Sequence, residues 1–305
     1  MKVRIGCSGW QYDDWVGPFY EAGKRERRSE WLEFYGRFFD SVEIDSTYYS
    51  VPGRQTVEAW IAKGRRIGDF ELSLKMHQEV THARLVERNA AAAVARARDF
   101  EHNVLAPLDD NRLLGAVLLQ LSPYFQRVDE RLRSAMPVLK DFLGGLDTGR
   151  YRYVVEFRHR SWLDLERKEI HPDVLDLLRD RKVGICVLDS PGFPATRAQT
   201  ADFAYVRFHG RNYDLWYSKE KPECDTRINR YDYLYTEDEL SPWVDEVENI
   251  EERCREVRIA FNNHGHAKAV KNALMFRRML GLDAGKKETR MPERVTLDSF
   301  NQVNK

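Results

Sequence analysis

Glu156 and Arg158 stand two residues apart in the stretch VEFRHRSW, and Arg207 and His209 repeat that spacing in YVRFHG. Side chains two apart on a strand share a face, so each pair projects together. The same arithmetic couples Glu43 with Asp45, Lys75 with His77, and Gln120 with Ser122. Carboxylates, guanidinium groups and imidazoles gathered in one place suit the binding of an anion and the movement of protons near neutral pH. Glu156, His209, Asp45 and Glu43 are the catalytic candidates, since burial and neighbouring charge can bring such groups toward neutrality. Arg158, Arg207, Lys75, His77, Gln120, Asn262 and Asn263 are the candidate binding groups. Trp10, Tyr48, Tyr49 and Trp162 are placed to stack a base or sugar at the rim.

These residues meet only if the fold brings the strand ends together. Eight short apolar runs each hand over to polar residues: Val3–Ser8, Val42–Ser46, Phe70–His77, Ala116–Ser122, Tyr153–His159, Val183–Asp189, Phe203–His209 and Val257–Asn263. Most are followed by helical periodicity, as in Trp31, Leu32, Tyr35, Phe38 and Phe39, the alanine-rich Asn89–Phe100, or Leu132, Met136, Leu139 and Phe142. Strands alternating with helices, each strand ending in a reactive group, predict a parallel eight-stranded TIM-type (β/α)8 barrel with its site at the C-terminal ends of the strands. The sixth helix is expected to be reduced or missing, because only Ser190–Asp202 separates strands six and seven and it opens with Pro191, Gly192 and Pro194. Strand seven is followed instead by the long aromatic segment Arg211–Tyr235, the length of a lid or binding loop.

Composition bounds the rest. No Pro/Gly/Ser-rich linker divides the 305 residues, so a single barrel domain is expected over 1–281, with a polar tail over 282–305. The early first strand leaves no room for a signal peptide and no apolar run is long enough to span a bilayer, so a cytoplasmic protein with no membrane partner is expected. Lys plus Arg equals Asp plus Glu at 49 each, which argues against broad, charge-driven binding of nucleic acid. Cys7, Cys186, Cys224 and Cys254 form no CxxC pair, which argues against a zinc ribbon or a redox motif. Composition does not fix the oligomeric state.

Several ordered motifs also carry a resemblance. IGCSGW (Ile5–Trp10), WVGPFY (Trp15–Tyr20), VEIDSTYY (Val42–Tyr49), VLLQLSP (Val117–Pro123), VEFRHRSW (Val155–Trp162), YVRFHG (Tyr205–Gly210) and FNN (Phe261–Asn263) resemble the YecE-like family, domain of unknown function 72, from about Val3 to Leu280. The resemblance implies a TIM-type barrel and supplies no established reaction. The family more often has proline where Ser122 stands and asparagine where Asp45 stands, so this mouth is the more acidic.

The residues suggest hydrolase-like, phosphoester-type chemistry on a phosphate-bearing small molecule or nucleic-acid fragment. Arg207, His209, Gly210 and Arg211 after strand seven, with Asn262, Asn263, His264 and Gly265 before a helix over Ala267–Leu280, form the expected anion cradle. In a metal-assisted variant, Glu43, Asp45, Glu156, Asp189 and His209 would hold a divalent ion, although no ligand-spacing motif appears. The alternative from another class is a non-catalytic nucleotide or nucleic-acid binding module. Glycoside hydrolysis is a further alternative, opposed by Gln120 and Arg207 standing where carboxylates are usual.

Overall fold

A computed structural model describes residues 2–21, 27–196, 198–216 and 230–282. Eight parallel strands follow one another around a barrel: β1 (Lys2–Cys7), β2 (Ser41–Ile44), β3 (Glu71–Lys75), β4 (Leu114–Gln120), β5 (Arg152–Glu156), β6 (Gly184–Asp189), β7 (Phe203–Phe208) and β8 (Glu256–Phe261). Each coincides with one of the eight apolar runs; β6 ends with its run at Asp189, and the other strands end one to three residues before theirs. Each strand pairs in parallel with the next from β2 round to β8 and on to β1, with one register shift between Leu72 and Leu74 of β3; Gln120 stands opposite Glu156 and Ala260 opposite Arg207.

The seam between β1 and β2 is held differently. Their ladder shrinks to one parallel bridge, Ser8 with Glu43, and the Gly9 amide donates to the Glu43 carbonyl at 2.8 Å. Where further backbone bonds are missing, the Tyr35 hydroxyl takes their place, accepting from the Cys7 amide at 2.7 Å and donating to the Ser41 carbonyl at 3.0 Å. Gly6 permits this approach: a Cβ there would lie 1.9 Å from the Ser41 oxygen. A tyrosine thus satisfies buried peptide groups that a regular ladder would otherwise pair.

The helices that cover the sheet include α1 (Trp31–Tyr35), α2 (Arg54–Ile67), α3 (Ala90–Phe100), α4 (Ala106–Asp110), α5 (Met136–Gly144) and α6 (Pro172–Asp180). After β7 come the short α7 (Tyr213–Trp216), α8 (Glu237–Glu251) and α9 (Lys268–Met279). Among the described residues no helix lies between β6 and β7, so the sixth helix is lost as the Pro-Gly opening implies. Leu132, expected on the helix after strand four, is instead 86 % exposed in the loop before α5. The central part of the long loop, the chain beyond residue 282 and Cys224 lie outside the described residues. Among those described, no helix is long and apolar enough to cross a membrane.

Two cores result. The larger fills the space between sheet and helices, and the smaller lies inside the barrel, where Ala116, Leu118, Val154, Cys186, Leu188, Tyr205 and Ala260 pack together. Ionic layers lie on either side of that inner plug. At the N-terminal ends of the strands, buried Arg4 and Arg258 pair with Glu71 at 3.0 and 2.9 Å, and Arg258 also reaches Glu256 at 2.8 Å. The second layer, at the C-terminal ends, forms the base of the site.

Candidate functional site

Alternation along the strands puts Glu43, Glu156 and Arg207 above the inner plug, facing one another across the barrel. Arg207, 2 % exposed, donates through Nη2 to Glu43 Oε1 at 2.7 Å and through Nη1 to Glu156 Oε2 at 2.5 Å. Glu43 also accepts from the Ser8 hydroxyl at 2.5 Å and the Tyr205 hydroxyl at 2.8 Å. The guanidinium of Arg158, one step beyond β5, closes on Glu156 through Nε and reaches the Gln120 side-chain oxygen through Nη2 at 3.2 Å. Two carboxylates are matched by two guanidinium groups.

The electrostatics follow from that matching. Burial alone would raise Glu156, but Arg158 and Arg207 beside it hold it well below the usual carboxylate range. Burial likewise opposes the charge on Glu43, and Arg207 with the hydroxyls of Ser8 and Tyr205 outweighs it, so this group is lowered too. His209 is sealed, and burial followed by the charges of Arg158 and Arg207 pushes it down to about 4. Its Nε2 lies 3.2 Å from Arg158 Nη2 and 3.4 Å from Arg207 Nη1, groups that can only donate. The Asn262 side-chain nitrogen, likewise a donor, stands 2.8 Å from Nδ1, and Glu156 Oε2 lies 3.8 Å from Nε2. Both ring nitrogens of the neutral His209 are thus engaged by neighbours.

The four residues expected to surround one hollow do come together, yet three of them are closed to water. Only Arg158, with 18 % of its side chain exposed, reaches outward. Above it opens a cavity of about 360 Å³ lined by Gln120, Arg158, Arg160, Ser190, Phe193, Trp216, Arg230 and Tyr231, with Pro123, Pro191 and Gly192 completing the wall. Among the described residues three arginines and no carboxylate border it. Among the described residues Arg160 and Arg230 have no ion-pair partner, and the Arg230 guanidinium lies 5.4 Å from the centre of the Trp216 ring.

A second group lies at the ends of β2 and β3. Asp45 is half-buried, and burial together with the charge of Glu43 raises its carboxyl above the ordinary value. Lys75, 9 % exposed, sets its Nζ 4.0 Å from the centre of the Tyr48 ring, while Tyr49 is 63 % exposed on the rim.

Several expectations need correction. Trp10 and Trp162 do not line the rim: Trp10 is buried, and Trp162 packs on Phe125 and Phe157 with its indole N–H donating to the Phe125 carbonyl at 2.7 Å. His77 lies past the end of β3, where its Nδ1 accepts from the Glu79 amide at 3.3 Å and opens the next turn. Asn263 is sealed and spends its amide on the Tyr233 carbonyl and the Asn272 side chain, both at 2.8 Å. The anion cradle after strands seven and eight is already occupied by the protein's own acids. Asp189 takes both arms of Arg211 at 3.0 and 2.6 Å, Asp14 takes the His266 amide at 2.6 Å, and Asp232 takes Lys268 at 2.7 Å. A helix N-terminus favours negative charge, and here carboxylates supply it.

The donor set does not fit a divalent ion. Oxygens of Glu43 and Glu156 are committed to guanidinium groups, as are those of Asp189, and among the described residues no cluster of three His, Cys, Asp or Glu could hold a metal. A glycosidase pair fails for the same reason, since Glu43 and Glu156 are both sealed and share Arg207. Sequence reasoning missed Arg160, Arg230, Ser190 and Phe193. Arg160 was findable, since it continues the two-residue alternation of Glu156 and Arg158 past the strand end.

Comparison with known proteins agrees with this architecture. Residues 4–296 match the family described as "Protein of unknown function DUF72". The UPF0759 protein YunF of Bacillus subtilis (strain 168) is 24 % identical over 287 residues, covering 92 % of this chain and 95 % of that protein. A crystal structure of a DUF72 family protein from Thermotoga maritima MSB8 superposes with a TM-score of 0.75 at 28 % identity, covering 92 % of this chain and 100 % of the other. A DUF72 family protein from Enterococcus faecalis V583, 19 % identical, shares the fold with a TM-score of 0.71 over 95 % of this chain and 100 % of the other.

Proposed function

The chain belongs to the DUF72 family of proteins of unknown function, and from that premise we propose that its barrel mouth binds a phosphate-bearing, ring-containing small molecule or the end of a nucleic-acid strand, and hydrolyses it. One observation carries the reading: a cavity at the strand ends bordered, among the described residues, by Arg158, Arg160 and Arg230 and by no carboxylate, beside the planar side chains of Trp216, Tyr231 and Phe193. Guanidinium forks suit phosphate oxygens, and the rings suit a base or sugar. Glu43, Glu156, Arg207 and His209 are the positioning groups of this site, a neutralised network that fixes where Arg158 and Gln120 stand. Asp45, raised and without an ion pair among the described residues, is the group proposed to take a proton from water.

The test is turnover. Incubated with nucleoside 5′-monophosphates or p-nitrophenyl phosphate, the protein is expected to release inorganic phosphate. Asp45→Asn should lower kcat by about 100-fold or more, while Arg158→Gln mainly raises KM. Binding without product over long incubation would replace the hydrolase with the second reading, a binding module for a nucleotide or short strand.

That second reading has its own support. All nine large hydrophobic side chains exposed among the described residues, including Tyr49, Tyr124, Leu132, Leu165 and Tyr213, lie on the segments that follow strand C-terminal ends, Tyr213 and Leu215 in the short α7. A concentration of exposed apolar surface on one face marks a place of contact.

A further inference from the structure

Lys75 is a buried cation that the proposed hydrolysis does not use. It ends β3, pairs through its backbone with Leu118 of β4, and turns its side chain toward the mouth between the ends of β2 and β4. Among the described residues no carboxylate lies within ion-pair distance of its Nζ, and no side chain accepts a hydrogen bond from it. Its contact is the face of Tyr48 at 4.0 Å, and the opposite edge of that environment is His82, packed edge-on against Tyr48 at 4.9 Å. Thr47 fixes the local backbone, donating to the Lys75 carbonyl at 2.6 Å.

A lysine serving structure alone would be expected to pair with an acid when buried, because an unpaired buried ammonium is costly. Of the acids nearby, Glu43 and Glu156 are committed to Arg207, and Glu156 also to Arg158, while Asp45 stands beyond ion-pair distance. A buried, unpaired amine with cationic neighbours is the arrangement that leaves a lysine free to act as a nucleophile toward carbonyl carbon. We propose that Lys75 forms a reversible imine with an aldehyde or ketone whose anionic group is held by Arg158. This rests on the phosphate reading of the mouth for the anion contact alone.

The step balances without an oxidant or reductant. The ammonium gives a proton through water to Asp45, the nitrogen lone pair attacks the carbonyl carbon, and the proton now on that nitrogen passes to the former carbonyl oxygen to give a carbinolamine. Asp45 returns its proton to that hydroxyl, the C–O bond breaks, the oxygen leaves as water, and a protonated imine remains. Water reverses the sequence.

The environment sets the pH range. Burial, then the charges of Arg207 and Arg158, lower Lys75 to about 8, against the opposing pull of Glu156 and Glu43. Asp45 faces it from β2, and His82, pushed down to about 4 by burial, is neutral there. A sizeable fraction of the amine is therefore unprotonated near pH 8, where an exposed lysine is almost wholly charged.

The full-length protein, treated with one equivalent of pyridoxal 5′-phosphate, reduced with borohydride and digested, reports the adduct by peptide mass. At pH 8 the Lys75 peptide is expected to carry about tenfold more label than any exposed lysine. The labelling rate should rise to its half-maximum near pH 8. Lys75→Arg, which keeps the charge and the contact with Tyr48, should abolish that label. Pyridoxal, which lacks the phosphate, should label Lys75 more slowly, and Arg158→Gln should erase the difference. Equal labelling of Lys75 by both aldehydes would remove the phosphate reading and leave the amine standing. Label spread over exposed lysines with Lys75 unmodified, or a rate still climbing past pH 9 like that of a free lysine, would overturn the inference.

Discussion

Arg207 and Glu156 meet at 2.5 Å beneath the floor of the mouth, both closed to water, and their network reaches the cavity through Arg158. The relationship separates two jobs that the sequence places on one set of residues. The inner charges neutralise one another, and the outer ones are those proposed to meet a ligand.

Removing Arg207 leaves the sealed Glu43 without a counter-ion and Glu156 with Arg158 alone. Arg207→Met should therefore cost about 3–5 kcal/mol in urea unfolding, the range for breaking one side of a buried ion pair. Arg158→Gln should cost clearly less, because its head is part-exposed. A small loss in Arg207→Met would mean that water reaches Glu43 and Glu156.

His209 makes stability depend on pH in a stated direction. Its folded value of about 4 lies below the ordinary histidine value, so between the two the unfolded chain binds a proton that the folded chain does not. Its contribution is complete above about pH 6.5 and is lost as pH falls toward 4. His82 and His264, also pushed down to about 4, act with the same sign. Urea midpoints at pH 7, 5.5 and 4.5 should fall steadily, and His209→Gln should flatten part of that slope.

The seam of the barrel depends on one hydroxyl. Tyr35→Phe leaves the Cys7 amide and the Ser41 carbonyl without their partner, at a cost of roughly 1–3 kcal/mol. Hydrogen exchange should quicken at the Cys7 amide while the Val206 amide, in the middle of β7, keeps its protection.

The eight strands were legible because a fully buried strand writes itself as a short apolar run, and the lost sixth helix because Pro191, Gly192 and Pro194 leave no room for one. The convergence of Glu43, Glu156, Arg158, Arg207 and His209 followed from two-residue alternation. Solvent access did not, because it depends on how far each strand end lies beneath the rim. Glu156 ends its strand and is sealed, whereas Arg158, two residues on, emerges. Partner choice was equally hidden: the loops after β7 and β8 read as an anion cradle, and only three-dimensional placement brings Asp14 and Asp232 from distant segments to fill it.

Isothermal titration with adenosine 5′-monophosphate and with adenosine, each at low and high salt, tests most directly whether the mouth takes an anion joined to a ring. The monophosphate should bind at least about tenfold more tightly than the nucleoside, lose affinity with salt, and weaken by a similar factor in Arg160→Gln and Arg230→Gln. Equal affinity for the two ligands, or heat unchanged by removing both arginines, would contradict the account.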